Sequence, residues 1–165
     1  MSNTILELIQ QYGYLFLYCA FSLGPFGIPI PNEITIITGA ILSHSGLINA
    51  WLTYFSILTG LLTAMTMFYL AGKLFGIPLK NRIQHKKYYK KAEHILKKKG
   101  DMAICIGMFI PVVRYFVPLL IGLSGTHYRK FALITYSTAL LWTLLFFTAG
   151  TFFGQTILTL LSYLF

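Results

Sequence analysis

Long apolar runs alternate with short, broken ones along this chain. The first run extends from about Ile5 to Leu23, long enough for one membrane crossing at roughly 20 residues. Glu7 and the pair Gln10–Gln11 make its start amphipathic, which suits a tilted crossing or a position in the interface. The next stretch, Gly24-Pro25-Phe26-Gly27-Ile28-Pro29-Ile30-Pro31-Asn32-Glu33, is apolar, yet its prolines and glycines forbid a regular helix. Helix is predicted to resume at Ile34 and to end near Leu42, before the turn-forming Ser43-His44-Ser45-Gly46. A segment this short and interrupted reads as a re-entrant hairpin, placed at about 24–43.

Leu47 to Ala71 reads as an uninterrupted spanning helix, with Gly60 and Ala64 small enough for close helix contact. Gly72 to Gly76 is expected to close it, with Pro78 beyond. The polar connector at 77–100 follows. Its part from Lys80 to Gly100 is predicted to be a surface helix lying on the membrane, its lysines toward anionic lipid headgroups. Met102 to Leu123 is apolar and broken again. Pro111 and Pro118 flank Arg114 there, which marks a second candidate re-entrant hairpin at about 102–123. Phe131 to Phe153 is the last long run, and the pattern leaves Gln155 to Phe165 unplaced.

Composition turns these runs into a membrane assignment. The 165 residues are 56% hydrophobic and 10% charged, with mean hydropathy +0.71. Soluble domains carry about 25% charged residues, so this much apolar surface calls for lipid. The length suits one domain over 1–165, with halves 1–76 and 101–165. The first run lacks a basic segment before it and is expected to stay as a helix, not a cleaved leader.

Charge sets the expected topology. The net charge is +9, and ten of the thirteen Lys and Arg lie from Lys73 to Lys99. Such a tract can serve nucleic acid, but no zinc-knuckle spacing or RNA-binding aromatic motif accompanies it. The positive-inside rule makes Lys73–Lys99 and Arg129–Lys130 cytoplasmic. The chain between them must then enter and leave on one side, which again predicts a hairpin. Working backward, Ser43–Gly46 falls outside. The expected fold is an all-α integral membrane protein. It is an inverted repeat of two opposed re-entrant hairpins, each followed by a transmembrane helix, with a basic cytoplasmic surface helix between them.

Glu33 and Arg114 are the ionisable residues lodged in the broken segments. A charge near the bilayer centre costs about 2.5–3.5 kcal/mol or more, so such residues pair, face water or act. One reading is a structural ion pair that locks the hairpins. The other is a polar waist at which Arg114 grips a phosphate through its planar fork, with Glu33 raised in pKa by desolvation and able to carry protons. Pro29, Pro31, Pro111 and Pro118 are expected to break the backbone, which lipid tolerates only where the released groups line a cavity or are buried in protein. Asn32 is expected to cap the helix at Ile34. Tyr69 and Tyr115 read as packing residues, and Lys73 as a topology marker. Cys19 and Cys105 give no disulfide framework, and the scattered His44, His85, His94 and His127 give no metal set. No catalytic motif appears, so the chain is not read as an enzyme, and no cofactor is expected.

These segments resemble the DedA family, also called the SNARE-associated or VTT-domain family. Gly27-Ile28-Pro29-Ile30-Pro31-Asn32-Glu33 is similar to its Pro-Xaa-Pro-Xaa-Glu element. Phe109 to Gly122 is similar to its Phe-Xaa-Pro-Xaa-Xaa-Arg-Xaa-Xaa-Xaa-Pro-Xaa-Xaa-Xaa-Gly signature, the more specific of the two. Tyr69 to Gly76 is similar to the Tyr-Xaa-Xaa-Gly-Arg-Xaa-Xaa-Gly element between them. The resemblance covers roughly Tyr12 to Gly154. It implies a multi-pass protein of the bacterial cytoplasmic membrane that moves undecaprenyl phosphate or phosphatidylethanolamine, driven in some members by proton-motive force. It implies transport residues at Glu33, Arg114, Pro29, Pro31, Asn32, Pro111, Pro118 and Gly122, with the lipid as partner and a homo-oligomer left open. Where many members carry an aspartate and an arginine, this chain has Met65 and Met108. One acid and one base are both absent, so the site's net charge is kept. The change bears on proton coupling, and it lets a zwitterionic phospholipid fit as well as a polyprenyl phosphate. A small-ion pathway and a non-transporting scaffold are the alternative functions.

Overall fold

The computed structural model describes residues 2–23, 32–83, 85–100, 102–111 and 113–164. All regular structure among them is helical: α1 (Ser2–Leu23), α2 (Asn32–His44), α3 (Ala50–Ile83), α4 (Lys87–Lys99), α5 (Met102–Met108), α6 (Val113–Leu123) and α7 (Tyr128–Leu164). The first hairpin tip, with Pro29 and Pro31, lies outside the described residues, as do the side chains of 79–84.

The two longest helices carry the spans. Ala50–Gly76 and Tyr128–Gly154 are each 27 residues long and strongly apolar, about 40 Å of helix at 1.5 Å per residue. That exceeds the roughly 30 Å hydrocarbon core. Both helices leave large apolar side chains outside the protein: Leu133 is 72% exposed, Leu74 74% and Phe152 80%. Lipid accounts for such surface where water would not. The chain is therefore an all-α membrane protein.

Helix α3 closes its apolar span at Gly76, within the Gly72–Gly76 stretch where the glycines place its end. It kinks at Gly76, whose backbone (φ 23°, ψ −111°) is open to glycine and strained for other residues, and resumes to Ile83. Helix α7 begins three residues before the expected Phe131 and runs on through the tail to Leu164. Asn32 is the first residue of α2, two residues ahead of the expected start. Pro118 lies within α6 instead of breaking it.

The chain packs as two compact units whose boundaries fall inside α3 and α7. One unit comprises residues 1–61 and 141–165, the other 62–140. In the first, α1 packs on α2, and the Tyr14 hydroxyl accepts the Asn49 amide proton at 2.8 Å. Residues 24–31 of the hairpin expected at about 24–43 lie outside the described residues. Gly60 earns its expected contact role: a Cβ there would stand 2.7 Å from the Tyr18 carbonyl oxygen. Tyr54 and Phe147 meet edge-on, centroids 5.6 Å apart.

In the second unit, α4, α5 and α6 pack on one another. Helices α3 and α6 cross at a reciprocal pair of glycines. A Cβ on Gly72 would strike the Leu119 carbonyl oxygen, and one on Gly122 the Tyr69 carbonyl oxygen. Only hydrogen fits at either position. Tyr69 completes the joint. Its ring stacks on Phe131 (4.3 Å, 13°), and its hydroxyl donates to the Thr126 carbonyl at 2.6 Å.

Helix α4 turns one face inward. Tyr89 and Ala92 are buried, and Glu93 and Leu96 half-buried. These positions repeat at 3, 4 and 7 residues and form one stripe. That stripe packs on α5 and α6. The described lysines of α4 are all exposed.

Candidate functional site

The second hairpin is the best defined part of the motif region. Helix α5 spans seven residues and α6 eleven, roughly 10 and 17 Å of helix. Neither length crosses a bilayer. Between them the chain turns at Phe109–Pro111, where the Ile110 amide donates to the Gly107 carbonyl (3.1 Å) and the Val113 amide to the Pro111 carbonyl (2.8 Å). Proline suits this place because its fixed φ and missing donor stop α5. Gly107 lets the arms close, since a Cβ there would meet a Val117 methyl at 2.9 Å.

Both ends of the hairpin come to one place. Gly100, just before α5, and Ser124, just after α6, line a single cavity of about 210 Å³ together with Lys130. The chain therefore leaves and returns at the same end of this unit. Leu96 of α4 and Lys130 of α7 also line that cavity.

Arg114 is the second residue of α6, at 2% exposure between buried Val113 and Tyr115. Its amide donates to the Ile110 carbonyl at 3.2 Å, which fixes the backbone of the first turn. Amides of a helix's first turn carry partial positive charge, so the guanidinium adds to a pole that already favours an anion. Pro118, four residues on, has no N–H to offer the Arg114 carbonyl. Guanidinium, helix end and interrupted backbone are thus concentrated at one tip.

Glu33 holds the same place in the first hairpin: the second residue of α2, in its first turn, half-buried beside buried Asn32. There the helix end favours the carboxylate. Of the remaining expected site residues, Pro111 is exposed at the second tip, and Pro118 is buried in α6. Gly122 is accounted for by the α3–α6 crossing. Met65 and Met108 are both buried in the second unit, at 1% and 0% exposure. Methionine's flexible thioether fills such space without charge.

Sequence reading passed over one feature of this unit. Thr66, Tyr136 and Tyr128 share a hydroxyl chain, at 3.0 and 2.7 Å. Thr66 donates to the Leu62 carbonyl at 2.7 Å, so Tyr136 donates to Thr66 and Tyr128 to Tyr136. The chain ends on a carbonyl and ties α3 to α7. Its polar positions lie on different helices with no local spacing to reveal them.

Comparison with known proteins agrees with the motifs. Residues 30–152 match the VTT domain. The chain is 31% identical over 163 residues to Protein DedA of Escherichia coli, covering 90% of this chain and 73% of that one. It is 28% identical over 153 residues to the membrane protein YbfM of Bacillus subtilis, covering 90% and 94%. It is 38% identical over 69 residues to the inner membrane protein YqjA of Escherichia coli, covering 42% and 31%. No solved structure matches. With the VTT domain spanning most of its length and Protein DedA 31% identical over 90% of it, the chain belongs to the DedA family of membrane proteins.

Proposed function

We propose that this protein moves a phosphate-bearing lipid, a phosphatidylethanolamine-like phospholipid or undecaprenyl phosphate, across the cytoplasmic membrane. The observation that carries this reading is Arg114, buried at the start of α6 in a hairpin too short to cross and closed at one end. A buried arginine at membrane depth costs several kcal/mol, and it sits at a helix end that favours an anion. A phosphate takes two parallel hydrogen bonds from the guanidinium fork. The acyl or prenyl tails remain in lipid throughout. Glu33 is the acidic partner in this reading. We read the α5–α6 hairpin as re-entrant from the cytoplasmic side and the α1–α2 hairpin as its inverted counterpart. Positive charge supports that orientation, with Lys130 lining the same cavity as Leu96 and Gly100 at the α4 end of the unit.

A flip assay tests the proposal. Purified protein is reconstituted into liposomes carrying labelled phosphatidylethanolamine or undecaprenyl phosphate, with and without a pH gradient. The expected result is movement of one of these lipids that Arg114→Ala removes while the variant still elutes as folded protein. Normal movement with Arg114→Ala, or proton flux with no lipid movement, would overturn it.

A further inference from the structure

The second unit holds a larger cavity, of about 360 Å³, away from Arg114. Three elements line it: α4 through Tyr89, Glu93, Leu96 and Lys97, α6 through Leu120 and Leu123, and α3 through Gly76 at its kink. Gly76 is the last residue of the apolar span, and α4 is a polar helix of six lysines. The cavity therefore stands where hydrocarbon gives way to water.

Its chemistry is divided. Leu96, Leu120 and Leu123 give it apolar walls. Glu93, the one acid of α4, lies on the helix's inward stripe and faces Lys97 at 3.1 Å. Burial first, and then the Glu93 carboxylate, push the Tyr89 phenol above its ordinary range. An acid on the inward face of a helix otherwise studded with lysines is a placement that packing does not require.

We infer that this cavity is an interfacial binding site for the headgroup end of an amine-bearing phospholipid. The field chooses the ligand class. Six lysines against one glutamate on α4 repel a bare cation and attract a phosphate. A zwitterionic headgroup satisfies both signs, its ammonium on the Glu93 carboxylate and its phosphate on Lys97. The exposed i,i+4 pair that must open is weak, about 0.3–0.5 kcal/mol for pairs of this kind. Two charge-assisted contacts replace the one that is lost. The leucines receive the first methylenes of the acyl chains, which a soluble headgroup lacks. The site is separate from Arg114 and needs no transport.

Native mass spectrometry of the full chain in detergent tests this, with dioleoyl phosphatidylethanolamine and dioleoyl phosphatidic acid as probes. The second lipid has the phosphate and the tails without the amine. Wild type is expected to retain phosphatidylethanolamine, and Glu93→Gln to weaken that retention about tenfold while holding phosphatidic acid at least as well, because Lys97 is freed for its phosphate. Leu123→Trp, which fills the cavity, is expected to weaken both, and circular dichroism melting confirms that each variant is folded. Equal retention of phosphatidylethanolamine by wild type and Glu93→Gln would overturn the inference. So would its displacement by soluble glycerophosphoethanolamine, which has no tails. Because the readout is binding, a failure of the flip assay leaves this result standing, and the reverse also holds.

Discussion

The two hairpin tips place opposite charges at one structural position. Glu33 is the second residue of α2 and Arg114 the second residue of α6. The helix end favours the glutamate by about 0.3–1 kcal/mol and opposes the arginine by a similar amount. Their burial differs in the same sense. Glu33 is half-buried, while Arg114 is 2% exposed. The helix end thus favours the acid at its position and disfavours the arginine at the same position of the other hairpin. A residue that breaks local preference in an otherwise consistent segment is where function is to be sought. Under the proposed transport reading, the anion-binding task falls to α6 and a supporting one to α2.

The largest expected effect concerns the frame that holds Arg114. Gly122→Leu puts a side chain where the Tyr69 carbonyl stands. Overpacking costs about 1–3 kcal/mol or more even where neighbours can yield, and here the neighbour is backbone. The variant should be lost from the monodisperse peak in size-exclusion chromatography. A normal yield and melting point would mean that α6 is not pinned to α3, and the argument for a rigid second tip would go with it.

Next is Arg114→Lys. The charge remains, but the planar fork does not. The flip rate is expected to fall at least about tenfold, with the melting midpoint within about 2 °C of wild type. Full activity would reduce the arginine to a point charge and remove the case for bidentate phosphate recognition. Tyr69→Phe comes below it. The variant keeps the stack on Phe131 and loses the hydrogen bond to the Thr126 carbonyl. The expected cost is about 1 kcal/mol, a midpoint shift of roughly 2–4 °C. No shift would show that stacking alone closes the joint between α3 and the start of α7.

Most of this architecture was legible before any coordinates, for identifiable reasons. Spans, broken segments and basic clusters are patterns of composition, and lipid enforces them strictly because unsatisfied backbone is so costly there. Pro111 marked a true turn. Pro118 did not, because a helix only eleven residues long tolerates a proline whose missing amide would have served its second residue. Gly76 and Gly72 looked alike in sequence, yet one kinks α3 and the other admits α6. That difference depends on a partner helix about fifty positions away, which no local window contains. Helix α4 has few apolar residues, yet the spacing Tyr89-Ala92-Glu93-Leu96 is the signal that one of its faces meets protein. The inward place of Glu93 was visible in that same spacing.

The smallest expected effect is the sharpest test of the comparison. Glu33→Gln removes the charge and keeps the shape. If the helix end is what the carboxylate serves, stability falls by about 0.3–1 kcal/mol, a midpoint shift of roughly 1–4 °C. The flip rate, measured at a temperature well below both midpoints, separates the two roles of the acid. A rate that falls with Glu33→Gln makes both tips functional, as the proposed transport reading requires. A rate that stays level while the midpoint slips makes Glu33 a helix-end residue and leaves Arg114 as the single working charge. The two measurements must be made on the same reconstituted sample, because a small loss of folded protein would otherwise pass for a small loss of rate.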